Sequence, residues 1–267
     1  MPDASHPVRR LKLFWEKTSA GALDGLYPRL CRHCEVPLSA EAPRQGIAAW
    51  LCTACQGELV PVESPYCEVC GEPFSGAMTR AFKCTNCTGR RIAFDFAVAG
   101  YKAEGPLREL IHHFKYGRDL SMRAALTELL LPALRDPRLA SEELNQWLLV
   151  PVPLHFIREI WRGFNQSWEL CRQISQQTGI PTAQILRRRV RTRTQVRLER
   201  KTRLANLRGA FALRRPFLGA SLPDLRGKNI FLVDDVLTTG ATAHECAKVL
   251  KGSAGVEKVV VLTAARG

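Results

Sequence analysis

The sequence predicts an α/β protein in which a mostly parallel sheet is flanked by helices and preceded by a small cysteine-rich module. Strand-like and helix-like segments alternate from residue 91 to residue 267, the order typical of a parallel sheet with helices on its faces. Eight of the ten cysteines come before that region, in four Cys-x-x-Cys pairs. We place the boundary near residue 90, so that 1–90 hold a lead-in helix and the cysteine module and 91–267 hold the α/β domain.

Composition favours a folded, soluble chain. Of its 267 residues, 46% are hydrophobic, which is enough for a core. The first residues include basic side chains but not the apolar run of a signal peptide. No segment approaches the roughly 18 apolar residues of a membrane helix. We therefore expect a cytoplasmic protein without membrane insertion.

The net charge of +14 is concentrated in the second part of the chain. Residues 1–90 carry 10 Lys/Arg against 9 Asp/Glu, whereas residues 187–215 alone hold 12 basic residues and one acid. A run of this kind is often a solvated helix or a disordered loop. The alternative is an electropositive surface for the phosphates of a nucleotide-like ligand or of nucleic acid.

The four cysteine pairs predict two structural zinc ions. Each pair presents two thiolates to one face of a tetrahedral ion, and with four thiolates no position stays open for catalysis. Disulfides are disfavoured in a cytoplasmic chain. We expect the first two pairs to share one ion and the last two another, although the spacing also allows a crossed arrangement. The expected ligands are Cys31, Cys34, Cys52, Cys55, Cys67, Cys70, Cys84 and Cys87.

The α/β elements follow from periodicity. Alternating apolar residues predict a strand around Phe94–Tyr101, and helical spacing predicts one long helix from Pro106 to Leu134. The apolar run "WLLVPVPL" predicts a buried strand that leads into the loop "HFIREIWRG", and a helix is expected from Phe164 to Thr178. The remaining elements are a short strand near residue 183, a strand at Phe211, the strand "KNIFLVDDV", a helix over Ala241–Leu250 and the strand "VEKVVVLTAA".

Two adjacent acids and a hydroxyl-rich loop end the strand "FLVDD". At the carboxyl end of a parallel strand, where ligands bind, we expect both carboxylates at the rim of a site. There they can accept hydrogen bonds from the vicinal hydroxyls of a ribose. The loop offers backbone N–H groups at a helix N-terminus, which suit a phosphate, and its glycine allows close backbone approach. The predicted residues are Asp234, Asp235, Thr238, Thr239, Gly240, Ala241 and Thr242.

The stretch "FLVDDVLTTGAT" resembles the phosphoribosyl-pyrophosphate (PRPP) motif of type I phosphoribosyltransferases. Together with "RGFNQS" at Arg162–Ser167, the pattern "RTQ…R..N..GAF" over Arg193–Phe211 and the cysteine pairs, it resembles the ComF family. That family consists of competence-associated proteins in which a zinc ribbon is fused to a phosphoribosyltransferase domain. The resemblance covers nearly the whole chain from Cys31. It implies a type I phosphoribosyltransferase-like parallel sheet behind a small double zinc ribbon.

The resemblance also implies residue roles. Asp234 and Asp235 would hold the ribose hydroxyls, and the loop 238–242 the 5′-phosphate. Arg158 and Arg162 would face the pyrophosphate, while Mg²⁺ would be carried mainly by PRPP itself. The pattern in the basic segment adds Arg193, Gln195 and Arg203 as contacts to PRPP.

Two functions stay open. In the first, the protein binds PRPP or a related phosphoribosyl ligand and handles single-stranded DNA, with the DNA-uptake machinery as partner. In the second, it is a phosphoribosyltransferase that releases pyrophosphate and acts on an unidentified base or amine. Thr238 stands where purine-salvage enzymes typically carry an acid, so a 6-oxopurine acceptor is not expected. Aromatic platforms for single strands are sparse in the basic segment, where we find only Phe211 and Phe217.

Overall fold

A four-stranded parallel sheet forms the centre of the computed structural model, which describes residues 28–39, 41–74, 76, 82–189, 207–214 and 222–267. The expected lead-in helix lies outside these residues. The strand order is β1–β6–β5–β2, and a separate antiparallel pair joins β3 and β4. The strands are β1 (Phe96–Lys102), β2 (Leu148–Pro151), β3 (Leu186–Arg188), β4 (Phe211–Leu213), β5 (Asn229–Leu237) and β6 (Lys258–Arg266). The predicted parallel sheet is confirmed.

Helices cover both faces of the sheet. They are α1 (Thr53–Gly57), α2 (Gly105–Tyr116), α3 (Arg123–Leu130), α4 (Phe156–Arg162), α5 (Gln166–Thr178) and α6 (Ala241–Ala254). Short 3₁₀ turns span Ile47–Ala49, Leu120–Met122, Leu131–Arg135, Pro137–Leu139 and Leu144–Gln146. No helix of the described chain is both long and apolar enough to cross a membrane.

Alternate residues of β5 point to two different cores. Phe231 and Val233 pack with α2, α3 and α5 on one face, while Ile230 and Leu232 pack with α6 on the other. Because both faces are covered, the strand is a continuous apolar run up to its acids. The acids thus begin where the neighbouring strand β2 ends, since the last pair between these strands is Pro151 with Val233.

The long helix expected over Pro106–Leu134 is wrong, because the chain bends after Tyr116. Arg118 adopts a left-handed φ of 55°, which an α-helix cannot contain. The Asp119 side chain then accepts a hydrogen bond from the Ser121 N–H and starts a 3₁₀ turn that leads into α3. Helix α2 therefore ends beside the acids of β5, where Lys115 lies 2.7 Å from Asp235.

The segment expected as the loop "HFIREIWRG" is also different, since its middle forms α4. The His155 imidazole accepts a hydrogen bond from the Ile157 N–H at 3.3 Å and so caps the first turn. Gly163, with φ 87°, ends the helix in a left-handed conformation that favours glycine. This short helix carries two of the predicted site residues, Arg158 and Arg162.

The cysteine module packs against the outer edge of β1. The Val62 N–H donates to the Gly100 carbonyl at 3.0 Å, and the Lys102 N–H donates to Val60 at 2.8 Å. Ala97 N–H donates to the carbonyl of Val69 in the same way, at 2.9 Å. The strand edge is therefore paired and not exposed to solvent.

Candidate functional site

The eight paired cysteines form two compact clusters. Within each cluster all the sulfur atoms lie within 4.8 Å of one another. The Cys34 and Cys52 sulfurs are 3.7 Å apart, and those of Cys70 and Cys84 are 3.6 Å apart. A tetrahedral site with Zn–S bonds of about 2.3 Å requires about 3.8 Å between sulfurs. The pairing is sequential: one cluster is Cys31, Cys34, Cys52 and Cys55, and the other is Cys67, Cys70, Cys84 and Cys87.

The electrostatics of the clusters also fit a bound cation. Burial raises the pKa of Cys31, but backbone N–H groups of Cys34, Cys52 and His33 outweigh it and lower the pKa to about 6. Burial and the neighbouring sulfurs raise the pKa of Cys55 instead. Four thiolates can therefore share this space when a metal ion compensates their charge. Zinc would be structural here, because all four ligands come from the protein.

The second cluster is joined to the carboxyl edge of the sheet by Arg266, the last residue of β6. This side chain is buried, and its Nε donates to the Cys70 carbonyl at 2.8 Å while one Nη lies 3.3 Å from the Cys70 sulfur. The other Nη donates to the carbonyls of Leu237 and Thr238, both at 3.0 Å. One guanidinium thus connects a zinc ligand with the loop that follows β5.

Asp234 and Asp235 differ in their surroundings. Asp234 is partly exposed, and its Oδ1 accepts hydrogen bonds from the Ser167 hydroxyl and from the Asp235 N–H, both at 3.0 Å. Asp235 is only 1% exposed. The expectation that both acids lie at the rim is therefore wrong for Asp235. Strand β5 continues to Leu237, and alternation turns the Asp235 side chain inward.

Lys115 compensates the buried acid. Its Nζ lies 2.7 Å from Asp235 Oδ2, and the lysine side chain is itself only 19% exposed. Burial lowers the pKa of Lys115, but the Asp235 and Asp234 carboxylates outweigh that effect and raise it. Sequence reasoning missed this residue, and the only signal was a lysine near the end of an otherwise apolar helical face.

The stretch "RGFNQS" builds the wall of the site residue by residue. Arg162 ends α4 and donates to Gln166 Oε1 at 2.5 Å. Asn165 caps α5 by accepting from the Ser167 N–H, and its amide donates to the Val152 carbonyl. Ser167 in turn reaches Asp234. The motif therefore fixes a turn between two helices so that its arginine and serine face the acids.

Arginines bring further positive charge close to the acids. Burial lowers the pKa of Arg162, while Asp235 and Asp234 partly offset that effect. Burial and the nearby Arg158 lower the pKa of Arg188, and Asp234 partly offsets this. Arg162 and Arg188 therefore lie close enough to the acids for the carboxylates to affect their pKa values. Arg158 lies close enough to both arginines to lower their pKa values. Lys115, Arg162 and Arg188 thus each interact electrostatically with at least one of the two acids.

The loop after β5 places its residues around the start of α6. Thr238 is exposed, Thr239 is partly exposed, and the Thr239 hydroxyl accepts a hydrogen bond from the Ala241 N–H at 3.4 Å. Gly240 adopts a φ of 71°, which favours glycine, directly before the helix. Thr242 lies in the first helical turn.

Three predicted contacts, Arg193, Gln195 and Arg203, lie outside the described residues. So does most of the basic segment, apart from its two ends in β3 and β4. The Arg187 Nε donates to the Leu213 carbonyl across this hairpin at 3.1 Å. A cleft of about 140 Å³ lies between the hairpin and α4, with Arg187, Arg188, Arg214 and Glu159 among its lining residues.

These features define a class of protein: a double zinc ribbon joined to a phosphoribosyltransferase fold. Residues 22–88 match the family described as "Double zinc ribbon domain", and residues 140–267 match "Phosphoribosyl transferase domain". Strand β1 and Lys115 precede the second matched region but belong to the same sheet and site.

Curated relatives narrow the class to one family. The chain is 34% identical to "Competence protein F" of Haemophilus influenzae over 81% of this chain and 90% of that one. It is 30% identical to "DNA utilization protein YhgH" of Escherichia coli K12 over 86% and 95%. It is 24% identical to "Competence protein ComFC" of Bacillus subtilis over 86% and 92%. The chain belongs to the ComF family of competence proteins.

Proposed function

We propose that the chain binds PRPP, with Mg²⁺ carried mainly by the ligand, at the carboxyl edge of its parallel sheet. The observation that carries the proposal is the pair of acids Asp234 and Asp235, with Lys115 2.7 Å from Asp235 and the buried Arg162 close to both, next to a hydroxyl-rich loop at a helix N-terminus. The partly exposed Asp234 carboxylate would accept hydrogen bonds from the ribose hydroxyls, while the buried Asp235, paired with Lys115, would support it from behind. The loop 238–242 would hold the 5′-phosphate, and the arginines would face the pyrophosphate.

Arg162 gives this proposal its sharpest support. The residue is 6% exposed, and its Nε has no hydrogen-bond partner within the described parts of the chain. A buried cation is stable only when an anion or hydrogen-bond acceptors compensate it. A pyrophosphate oxygen at this position would supply both. Arg193, Gln195 and Arg203 would add contacts from the basic segment.

The biological role that we propose is the handling of single-stranded DNA in the cytoplasm during DNA uptake or utilisation. Its support is the chain's net charge of +14 and the names of its relatives, which are a competence protein and a DNA utilization protein. The phosphates of a DNA strand and those of PRPP are both negatively charged, so both require a positively charged protein surface. The division into residues 1–90 and 91–267 is part of this proposal, with the ribbon module as a structural support.

A catalytic phosphoribosyltransferase is the second candidate, and the environment of Asp234 favours it. Although part of the Asp234 side chain reaches solvent, the burial of its carboxylate among protein atoms and the adjacent Asp235 raise the pKa of Asp234 to about 7, while Lys115 and Ser167 partly offset this. A carboxylate that titrates near neutral pH can take up a proton from an acceptor during transfer. Incubation with PRPP, Mg²⁺ and a panel of bases and amines tests this candidate, with pyrophosphate release as the readout.

Calorimetric titration tests the binding proposal. PRPP should bind the full-length, zinc-loaded protein more tightly than either ribose 5-phosphate or pyrophosphate, because only PRPP reaches the loop, the acids and the arginines together. Mg²⁺ should strengthen binding of PRPP and pyrophosphate and leave ribose 5-phosphate less affected. Equal affinity for PRPP and pyrophosphate would show an unspecific anion site and would contradict the proposal.

A further inference from the structure

Exposed aromatic rings lie side by side next to the site. His112 and Tyr116 are one turn apart on α2, with ring centroids separated by 4.8 Å. The Tyr116 ring lies 6.4 Å from the ring of Trp161 on α4, in an edge-on arrangement. Tyr116 is 54% exposed and Trp161 is 50% exposed. We call these three residues, His112, Tyr116 and Trp161, the aromatic strip.

Guanidinium groups accompany the aromatic strip. Arg118 lies over the Trp161 ring at 4.8 Å, and Arg162 lies 5.8 Å from the centre of the Tyr116 ring. Burial lowers the pKa of Arg162, and the charges of Asp235 and Asp234 partly offset that effect, so this residue connects the strip with the site. The strip therefore joins π-faces to positive charge beside the proposed PRPP site.

Helix α4 also exposes apolar side chains outside the aromatic strip, since Phe156 is 69% exposed and Ile160 is 64% exposed. Single apolar side chains on a surface are common and do not by themselves mark a binding site. What sets the aromatic strip apart is its pairing with guanidinium groups. The occupant must satisfy both the rings and the guanidinium groups, and a nucleic-acid strand offers bases for the rings and phosphates for the cations.

We propose that the aromatic strip stacks the bases of a single-stranded nucleic acid whose phosphates contact Arg118 and the arginines of the site. This inference rests on the proposed DNA role and locates it on the molecule. Stacking tolerates any sequence, because every base has a π-face, and aromatic platforms beside basic grooves are typical of single-strand binders. A base-paired duplex keeps its bases inside and cannot use the strip.

The strip lies away from the basic segment, where the sequence offers Phe211 and Phe217 as aromatic residues. Phe211 is only 4% exposed, because it packs in the core next to α6. It cannot stack on a base in this structure. Phe217 lies outside the described residues. The rings that the structure offers to a single strand come instead from α2 and α4, which contribute to the wall of the site.

Two oligomers of equal length distinguish the contribution of base stacking to binding from the contribution of phosphate charge. The probes are fluorescently labelled oligothymidylate and an abasic deoxyribose-phosphate strand, both titrated with the full-length protein. Trp161→Leu should weaken binding of oligothymidylate about 10-fold, since one stacked base is worth about that much. The same change should alter binding of the abasic strand by less than about 2-fold, because that strand has no base to stack. Trp161→Phe should keep most of the affinity.

Ile160→Ala is the matched control, because Ile160 is exposed on the same helix but carries no π-face. It should leave both affinities unchanged. An equal loss for Ile160→Ala and Trp161→Leu would show an apolar docking surface for a protein and would overturn the proposal. Equal weakening of both oligomers by Trp161→Leu, or no effect on either, would also overturn it. If the wild type binds no oligomer, the DNA role fails too, whereas PRPP titration tests the rest of the proposed function independently.

Discussion

The ammonium group of Lys115 lies 2.7 Å from the carboxylate of Asp235 and ties the end of α2 to the carboxyl end of β5. The acid is 2% exposed in its side chain and the lysine 19%, so neither charge is well hydrated. Each therefore depends on the other for compensation. Because Asp235 is adjacent to the partly exposed Asp234, the same lysine affects the charge of the site that a ligand would meet.

Removal of the lysine alone should destabilise the fold. We expect Lys115→Met to lower the free energy of unfolding by about 3 kcal/mol, because it leaves a buried carboxylate without a partner. Urea denaturation measures the change. The double variant Lys115→Met/Asp235→Asn should recover most of the loss, so an additive double variant would contradict the account. Lys251→Met is the control, since its pair with Asp95 is about one-third exposed and should contribute less than about 1 kcal/mol.

A second prediction concerns Arg266, which bridges Cys70 and the loop after β5. Arg266→Met should destabilise the protein by about 2–3 kcal/mol, because several buried carbonyls lose their donor. It should also speed amide hydrogen exchange in residues 238–242, which lose their link to the second cysteine cluster. Hydrogen-exchange mass spectrometry measures this. Arg226→Met, at an exposed position, should change neither quantity, and unchanged exchange in Arg266→Met would show that the bridge does not order the loop.

The raised pKa of Asp234 predicts a pH-dependent stability. In the folded protein this pKa is about 7, whereas the unfolded chain has an ordinary value near about 4. The folded state therefore binds the proton more tightly. The resulting stabilisation is complete below the unfolded pKa and is lost as the pH rises through about 7.

Asp234→Asn removes this titration and tests it. Relative to the variant, the wild type should lose about 2 kcal/mol of unfolding free energy between pH 5 and pH 7. Denaturation series of both proteins at several pH values measure the difference. Other groups that titrate in this range, such as His244, are common to both proteins and cancel. Parallel pH profiles would contradict the raised pKa.

The cysteine clusters predict a metal content of two zinc ions per chain. Metal analysis of the purified protein measures it, and chelation should unfold the ribbon module, because binding energy in such sites is folding energy. Cys31→Ser/Cys34→Ser should lower the content to one ion, since the second cluster uses other ligands. A wild-type content near one, or absorbance of an iron–sulfur cluster, would contradict the assignment.

The sequence predicts well those features that depend on local pattern. The apolar run of β5 and its acids locate the carboxyl edge of the sheet, and four cysteine pairs locate two metal sites. The sequential pairing of clusters, by contrast, is decided by how the module folds. Helix α2 ends at Tyr116 because Arg118 adopts a left-handed conformation. That conformation is uncommon for any residue other than glycine, so the sequence does not predict it.

Contacts between distant segments could not be read from the sequence. Lys115, Ser167 and Arg188 come from three different elements, and only the topology brings them to Asp234 and Asp235. Likewise, nothing in the local pattern distinguishes Arg266 from an ordinary end of a strand. The exposed rings of α4 lie in a segment that the sequence predicts as a loop. A helix of seven residues shows too little helical periodicity to be recognised from the sequence.

Binding of PRPP by the variant Asp234→Ala/Asp235→Ala tests the central claim most directly. The control is Asp224→Ala/Glu257→Ala, which removes the same charge from exposed positions near the opposite end of the sheet. Zinc content and circular dichroism establish that both variants are folded. We predict that calorimetry detects PRPP binding to the wild type and the control and none to the Asp234/Asp235 variant. Wild-type affinity in a folded Asp234/Asp235 variant would show that these acids do not form a ribose site.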